Sequence, residues 1–326
     1  MSTPLLEVRG LRVEFPTRRG TLVAVDDVSF SIAPGEVLGV VGESGAGKSL
    51  TGTAIIGLLE PPGRVAAGEI RLEGERIDNL PPEKMRRIRG RRIGAIFQDP
   101  LTSLNPLYTV GRQLEETILT HLDVSQAQAR ERALALLREV GIPAPENRID
   151  QYPHQFSGGM RQRVVIALAL CAEPRLIVAD EPTTALDVSI QAQIITLLKR
   201  LAREHGTAVM LITHDMGVIA ETADRVAVMY AGRVAEIGPV REVIHAPKHP
   251  YTTGLMGSIP KLGAGTGKRH SRLVQIEGSM PRLNAIPPGC AFNPRCPKRF
   301  DRCTAERPDP LTAGSGTAAC WLYAPA

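Results

Sequence analysis

The sequence of 326 residues has few aromatic side chains and no long hydrophobic run. Phe, Trp and Tyr together make up 4% of the residues. The longest wholly apolar stretch, Val164 to Ala172, has nine residues, whereas a helix that spans a bilayer needs about 20. The N-terminus also lacks the basic region and the apolar core of a secretory signal. We therefore expect a cytoplasmic chain without a membrane-spanning segment, whose cysteines are free thiols or metal ligands.

A strong charge of either sign is also missing. The 39 Lys and Arg residues outnumber the 34 Asp and Glu residues by five, an excess too small for a dedicated nucleic-acid coat. With 43% hydrophobic and 22% charged residues, the composition is that of a folded α/β protein rather than a disordered chain. The length is about twice that of one domain, so we expect either one large domain with an appendage or two domains.

Four short apolar runs predict the buried strands of a mostly parallel sheet. They occupy residues 37–41, 93–97, 176–179 and 208–212. Between the second and third runs, a helix with a cap at Ser125 and another that opens near Ser157 predict a helical insertion at about residues 100–170. Strands and helices alternate, which indicates an α/β doubly wound fold.

Residues 261–326 differ from the rest of the chain. They hold eight of the 26 prolines and four of the five cysteines, with a Gly-rich stretch at 263–267. Such a segment has little periodic apolar content, so a hydrophobic core alone would not hold it together. We expect a separate, loop-rich, cysteine-rich C-terminal module.

Residues 42–49, Gly-Glu-Ser-Gly-Ala-Gly-Lys-Ser, match the phosphate-binding pattern G-x-x-x-x-G-K-S/T, between an apolar strand and a helix. Small residues let backbone N–H groups curl around a phosphate chain, and the helix N-terminus adds the positive end of its dipole. Lys48 is expected to reach the β- and γ-phosphates of ATP, and the Ser49 hydroxyl to bind Mg²⁺. The other phosphate-binding residues are expected to be Gly42, Ser44, Gly45 and Gly47.

The apolar run at 176–179 ends in two adjacent carboxylates, Asp180 and Glu181. Acids at the end of a buried strand need a partner, because burying a charge without one is costly. Next to a phosphate-binding loop, Asp180 can contact Mg²⁺ through its water shell. Glu181 can orient and polarise the water that attacks the γ-phosphate.

Residues 156–163, Phe-Ser-Gly-Gly-Met-Arg-Gln-Arg, resemble the signature sequence of the ATP-binding-cassette ATPases. Met160 departs from the glutamine that is most common there. The resemblance implies that Ser157, Gly158 and Gly159 form a second phosphate site at a helix N-terminus. It also implies a head-to-tail dimer, in which each ATP lies between the phosphate-binding loop of one subunit and the signature of the other.

The same resemblance implies roles for residues outside these motifs. Gln98 matches the glutamine that senses Mg²⁺, and His214 matches the switch histidine that contacts the γ-phosphate. Phe15 lies where an aromatic side chain stacks on adenine, and residues 185–187, Ala-Leu-Asp, match the loop that crosses the dimer interface. The implied catalytic residues are Lys48, Gln98, Glu181 and His214. The implied Mg²⁺ ligands are Ser49, Gln98 and Asp180.

Residues 97–106, residues 247–252 and the terminal cysteines resemble the ATP-binding subunits of bacterial dipeptide and oligopeptide importers. The resemblance implies a P-loop cassette ATPase domain at 1–245 and a C-terminal extension at 246–326. It further implies two transmembrane permease subunits, a second ATPase subunit in a heterodimer or homodimer, and a periplasmic or surface substrate-binding protein that acts through the permease. The chain would lie peripherally on the cytoplasmic face of the inner membrane, and no nucleic-acid partner is expected.

Three other functions stay open at this point. Related importers carry nickel, glutathione or sugars, a soluble cassette ATPase can act on nucleic acid or the ribosome, and a regulatory subunit can bind nucleotide without turnover. The single phosphate-binding loop and the importer-like segments argue against the second function. The intact Lys48, Asp180, Glu181 and His214 argue against the third.

Four cysteines follow the spacing C-x5-C-x6-C-x16-C; they are Cys290, Cys296, Cys303 and Cys320. Structural zinc sites usually include a short C-x2-4-C pair, which is missing here. Four thiolates at longer spacing suit a 4Fe–4S cluster, and similar peptide-importer subunits carry one. We expect a structural iron–sulfur cluster, with zinc or free thiols as the alternatives.

Overall fold

The computed structural model describes residues 3–184, 186–259 and 275–325, and the strands in these ranges form two sheets. The Gly-rich stretch at 263–267 lies outside the described residues. The strands are β1 Leu6–Thr17, β2 Gly20–Ile32, β3 Val37–Val41, β4 Arg64–Leu72, β5 Glu75–Arg76, β6 Ile93–Ile96, β7 Leu176–Asp180, β8 Ala208–Ile212, β9 Arg225–Tyr230, β10 Arg233–Pro239, β11 Leu311–Ala313 and β12 Gly316–Ala318.

Helices lie on both faces of the larger sheet and between its strands. The α-helices are α1 Lys48–Ile55, α2 Pro82–Ile88, α3 Pro100–Ser103, α4 Val110–His121, α5 Gln126–Glu139, α6 Pro145–Arg148, α7 Gly158–Leu170, α8 Val188–His205, α9 Met216–Thr222, α10 Val240–His245, α11 Pro250–Gly257 and α12 Asp301–Ala305. Within the described ranges, no helix combines the length and the apolar character needed to span a bilayer.

The larger sheet has the order β11-β12-β10-β9-β3-β8-β7-β6, and its strands from β9 to β6 run parallel. The smaller sheet is antiparallel, in the order β2-β1-β4-β5. All four apolar runs are strands of the larger sheet, as the sequence predicts. Because β3, β7 and β8 are parallel neighbours, their carboxyl ends meet at one sheet edge. That edge carries the phosphate-binding loop, the two carboxylates and His214.

Local signals in the sequence determine where several helices begin and end. The Ser125 hydroxyl accepts from the Gln128 N–H at the start of α5, and the Ser157 hydroxyl accepts from the Met160 N–H at the start of α7. Gly206 ends α8 in the left-handed conformation, with φ of 62°. Helices α3 to α7 fill the chain between β6 and β7.

The expectation of a separate C-terminal module is wrong for the residues that the structure describes. Strands β11 and β12 extend the larger sheet, because Glu236 and Ile237 of β10 pair with Ala318 and Thr317 of β12. Phe292 is only 2% exposed and belongs to the main hydrophobic core. The segment lacks a periodic apolar pattern, yet the buried ring of Phe292 joins it to that core by packing against Tyr230 and Tyr251.

Candidate nucleotide site

The phosphate-binding loop runs from the end of β3 to the start of α1, and its glycines occupy backbone positions that other residues tolerate poorly. Gly42 and Gly47 have φ of +151° and +98°. A Cβ on Gly42 would lie 2.2 Å from the Met229 carbonyl oxygen, and one on Gly47 would lie 3.0 Å from that of Ala24. The tip of the loop, with Ser44 and Gly45, is exposed. The loop therefore packs closely on its protein side and leaves its outer side open.

Lys48 begins α1 and is 6% exposed. Its Nζ donates to the carbonyl oxygens of Gly42, at 2.9 Å, and Glu43, at 3.1 Å. Burial lowers the pKa of Lys48, and the negative charges of Glu181 and Asp180 act against that shift. The amine is therefore held inside the loop, close to where the oxygens of a triphosphate would bind.

Ser49 and Asp180 meet across the floor of the site. The Ser49 Oγ donates to the Asp180 Oδ1 at 3.0 Å. Burial raises the pKa of Asp180, while the hydrogen bond from Ser49 opposes the rise. A hydroxyl and a carboxylate are hard oxygen donors, the ligand type that Mg²⁺ prefers. The pair therefore fits a magnesium ion, and the third expected ligand, Gln98, donates its side-chain amide to Glu181, the residue after Asp180.

Glu181 is the centre of a group of hydrogen bonds. Gln98 Nε2 donates to Glu181 Oε2 at 3.0 Å, and Thr184 Oγ1 donates to the same oxygen at 2.8 Å. His214 Nδ1 lies 3.2 Å from Glu181 Oε1. Burial acts to raise the pKa of Glu181, but the hydrogen bonds from Thr184 and His214 and the charge of Lys48 lower it overall. The result is a fixed, ionised carboxylate.

The backbone at Glu181 is strained, with φ of +46°. A residue with a Cβ pays roughly 1–3 kcal/mol for this left-handed conformation. The Glu181 N–H nevertheless donates to the Ile212 carbonyl oxygen at 2.8 Å, which links the residue to the end of β8. Strain of this kind concentrates at functional sites, where the surrounding structure holds a side chain in place.

The signature residues lie at the N-terminus of α7. Ser157 is exposed and its hydroxyl caps the helix through the Met160 N–H, at 3.3 Å. Gly158 and Gly159 face Leu186 and Ile190, in the segment that follows β7. The described contacts therefore join the signature to this segment and not to the phosphate-binding loop of the same chain.

Phe15 lies on β1, half-buried and packed against the core of the smaller sheet. A Cβ on Gly63 would lie 2.6 Å from its Cε1, so the ring is covered closely there. Of the expected interface loop at 185–187, Ala185 lies outside the described residues.

Three side chains at the site escaped the sequence analysis. Thr184 follows Glu181 by three residues, a spacing at which a hydroxyl can reach back along a turn. Tyr251 and Arg295 contact Glu43 of the phosphate-binding loop from more than 200 residues away. Tyr251 belongs to the importer-like segment 247–252, which gave no sign of this contact, and Arg295 gave no local signal.

The four terminal cysteines lie around one small cavity. Even so, the described residues contain no group of three or more His, Cys, Asp or Glu side chains arranged to hold a metal ion. The iron–sulfur cluster that the sequence leads us to expect at these cysteines is therefore not preformed among the described residues, and it stays a prediction. Burial raises the pKa of Cys290 to about 11 and raises the pKa of Cys296 and of Cys320. Burial therefore disfavours the thiolate form of these three cysteines.

The parallel sheet, the phosphate-binding loop, the carboxylate pair and the signature helix together define a P-loop ATPase of the ATP-binding-cassette class.

Comparison with known proteins narrows this class. A family model described as ABC transporter matches residues 25–184, and one described as oligopeptide/dipeptide transporter, C-terminal region, matches residues 235–303. The dipeptide transport ATP-binding protein DppD of Bacillus subtilis is 50% identical over 320 residues, which cover 98% of this chain and 94% of that protein. The oligopeptide transport ATP-binding protein OppD of Salmonella typhimurium is 48% identical over 304 residues, covering 93% and 89%.

A solved structure shares the fold. The dimeric, post-hydrolysis state of the ATP-binding cassette MJ0796 bound to ADP and Pi superposes with a TM-score of 0.65 at 30% identity, covering 72% of this chain and 99% of that one. The chain belongs to the ATP-binding-cassette transporter family, in the branch of dipeptide and oligopeptide transport ATP-binding proteins. It is an ATP-hydrolysing transport enzyme.

Proposed function

We propose that this chain hydrolyses ATP to drive the import of dipeptides and oligopeptides through separate permease subunits. The observation that carries the proposal is the group of hydrogen bonds around Glu181, next to the buried amine of Lys48. A carboxylate with a purely structural role needs only one partner. The Glu181 carboxylate has three partners and a strained backbone, which together fix its orientation. The names of the relatives support peptides as the cargo.

Lys48 and the loop N–H groups would bind the β- and γ-phosphates, with Gly42, Ser44, Gly45 and Gly47 leaving room for them. Ser49 and Asp180 would hold Mg²⁺, and Gln98 would join them by turning from Glu181. When bound, Mg²⁺ neutralises charge on the phosphate oxygens. Phe15 would stack on adenine.

Glu181 would orient the attacking water and accept its hydrogen bond, because its lowered pKa keeps the carboxylate ionised. His214 and Gln98 would hold it in position and read the state of the γ-phosphate. Among the described hydrogen bonds, both side chains reach Glu181 and neither reaches the phosphate-binding loop.

Ser157, Gly158 and Gly159 would complete the ATP site of a second cassette subunit, identical to this chain or related to it. The dimer that the MJ0796 structure describes supports this arrangement. We propose two permease subunits and a periplasmic or surface substrate-binding protein as further partners, on the cytoplasmic face of the inner membrane.

We further propose an ATPase domain at 1–245, with a helical subdomain at about 100–170, and an importer-type extension at 246–326. The extension's cysteines would take up a 4Fe–4S cluster, with zinc as the alternative. Soft sulfur donors and their position around one cavity support this. Their side chains would turn toward a common point on binding.

The test is to reconstitute the chain with its permease in vesicles and measure ATP hydrolysis. We expect cargo-loaded binding protein to stimulate hydrolysis, and double-stranded DNA added at the same concentration to have no effect. The Glu181→Gln variant in the same vesicles gives the background rate of ATP hydrolysis. Stimulation by DNA and not by loaded binding protein would contradict the proposal. If binding protein loaded with nickel, glutathione or a sugar stimulates hydrolysis and peptide-loaded binding protein does not, the proposed cargo is wrong but the proposed transport ATPase activity stands.

A further inference from the structure

The C-terminal segment reaches back to the phosphate-binding loop through Arg295. Its Nη1 donates to both carboxylate oxygens of Glu43, at 3.0 and 3.1 Å. The Arg295 side chain is 7% exposed, and that of Glu43 is 28% exposed. An arginine this buried is held by its surroundings, whereas most surface ion pairs contribute little.

The guanidinium of Arg295 is bonded on all three nitrogens. Nε donates to the Glu277 carbonyl oxygen at 2.9 Å, and Nη2 donates to that of Gly278 at 3.3 Å. Nη1 also lies 3.3 Å from the Tyr230 hydroxyl oxygen. These bonds fix the plane of the group, so Arg295 presents Nη1 to Glu43 in one orientation.

Glu43 is in turn held at every polar group it has. Its N–H donates to the Tyr251 hydroxyl at 2.9 Å, and its carbonyl oxygen accepts from Lys48 Nζ and from the Ala46 N–H, both at 3.1 Å. Because Tyr251 takes the Glu43 N–H, that group is not free for a phosphate. The position of Glu43 therefore sets the direction in which the next N–H groups of the loop point.

The segment that Arg295 holds also lies against the loop itself. A Cβ on Gly45 would lie 3.2 Å from the Met280 Cε. Met280 also packs against the two larger hydrophobic clusters of the described residues. The C-terminal segment thus contacts the loop at Glu43 through charge and at Gly45 through packing.

We propose that Arg295, with Tyr251, is a positioning residue for ATP binding, which holds Glu43 so that the phosphate-binding loop keeps its nucleotide-ready shape. This proposal rests on the proposed function and extends the ATP site to residues of the C-terminal extension. Arg295 also neutralises the negative charge of the Glu43 carboxylate. Without Arg295, that charge would repel the phosphates of ATP bound to the same loop.

The proposal is tested with the full chain, by titrating ATP with Mg²⁺ and measuring the Kd by calorimetry. Arg295→Met removes the charge and the hydrogen bonds and keeps much of the apolar stem. We expect the Kd to rise about tenfold, which corresponds to about 1.4 kcal/mol. Hydrolysis should show the rise in KM, with kcat at saturating ATP within about twofold of the parent.

A double-mutant cycle shows whether the effect passes through Glu43. In an Arg295→Met/Glu43→Gln chain, the repulsive carboxylate is gone, so the Kd should be lower than for Arg295→Met alone. Strict additivity of the two substitutions would contradict coupling between these residues. Arg302→Met is the matched control, because Arg302 belongs to the same extension and pairs with Glu306 and Trp321. Its Kd should equal that of the parent.

A purely structural ion pair would lower the unfolding temperature and leave the Kd unchanged at temperatures where the chain is folded. That result would overturn the proposal. If Arg295→Met does not fold, Tyr251→Phe removes one hydroxyl from the same contact, and an unchanged Kd there would equally overturn it. If the parent chain itself binds no ATP, the proposed function fails, and not this inference alone.

Discussion

The sequence predicts both a nucleotide site and a four-cysteine metal site, and the structure shows the first in a more complete form than the second. At the nucleotide site, Ser49 already meets Asp180, and Glu181 already has three partners. At the cavity, the cysteines are neighbours, but no group among the described residues is arranged to hold a metal ion. Side chains that the fold brings close together are therefore not always oriented to bind one metal ion.

The difference has a physical cause. The parts of the nucleotide site lie directly after parallel strands, so the register of the sheet determines where they go; Asp180, for example, pairs with Ile212. The cysteines lie on loops and on the short helix α12, outside the strands, so no ladder fixes their directions. Such ligands are commonly ordered by the metal itself, because its binding energy is part of the folding energy.

The largest expected effect is at Lys48. Lys48→Ala removes a buried positive charge that would bind the phosphates, and we expect ATP hydrolysis to fall by about 1000-fold. Phosphate release by the purified complex measures this. Near-normal hydrolysis would show that the preformed site around Lys48 is not the site at which ATP is hydrolysed. Lys199→Ala is the control, because Lys199 is a half-buried lysine of α8 whose amine donates to the Glu221 carbonyl oxygen and not to the phosphate-binding loop; this variant should keep the parental rate.

Glu181→Gln should separate binding from chemistry. The amide keeps the shape and loses the ionised oxygen that accepts a hydrogen bond from water, so we expect kcat to fall at least about 100-fold. The Kd for ATP should stay close to that of the parent, and the ATP-bound dimer should persist on gel filtration. A variant that binds no ATP, or that turns over at the parental rate, would show that Glu181 has another role.

Phe292→Ala tests whether the extension shares the main core. Phe292 packs against Tyr230 and Tyr251, with ring centroids 5.2 and 5.4 Å away. We expect the free energy of unfolding to fall by about 3 kcal/mol, the range for a buried aromatic. Phe300→Ala is the matched control in the same segment, because Phe300 is 42% exposed. Equal, small losses in urea unfolding for both variants would indicate that the extension packs on its own.

Most of the fold and of the nucleotide site could be predicted from the sequence, since they depend on contiguous motifs. The apolar run 37–41, the glycines after it and Lys48 form one local unit whose geometry follows from its residue types. The contacts that were missed are long-range: Arg295 reaches Glu43 only because the extension folds back over the loop. The same folding back explains why a cysteine-rich tail, expected to be separate, is built into the larger sheet through β12.

Ser157→Arg should have a smaller effect in a mixed dimer. The larger side chain would obstruct a phosphate site that belongs to the neighbouring subunit's ATP. With one parental and one variant subunit, we expect hydrolysis to fall to about half or less, and the lost ATP to be the one on the parental phosphate-binding loop. Trapping of a labelled nucleotide on each subunit measures this. Loss at the variant's own loop would contradict the head-to-tail arrangement.

The smallest expected effect is that of Cys296→Ser on ATP binding. If the cysteines bind an iron–sulfur cluster, chain purified without oxygen should be brown, and this substitution should bleach it, since one of four sulfur ligands is lost. Colourless protein with one zinc per chain would contradict the iron–sulfur cluster and support a zinc site with the same four ligands. Protein without any metal would contradict both the cluster and the zinc site. The Kd for ATP should stay within about twofold of the parent, because serine preserves the backbone next to Arg295. A larger loss would show that the cavity and the nucleotide site are coupled through Arg295, and the two regions could then no longer be treated as independent.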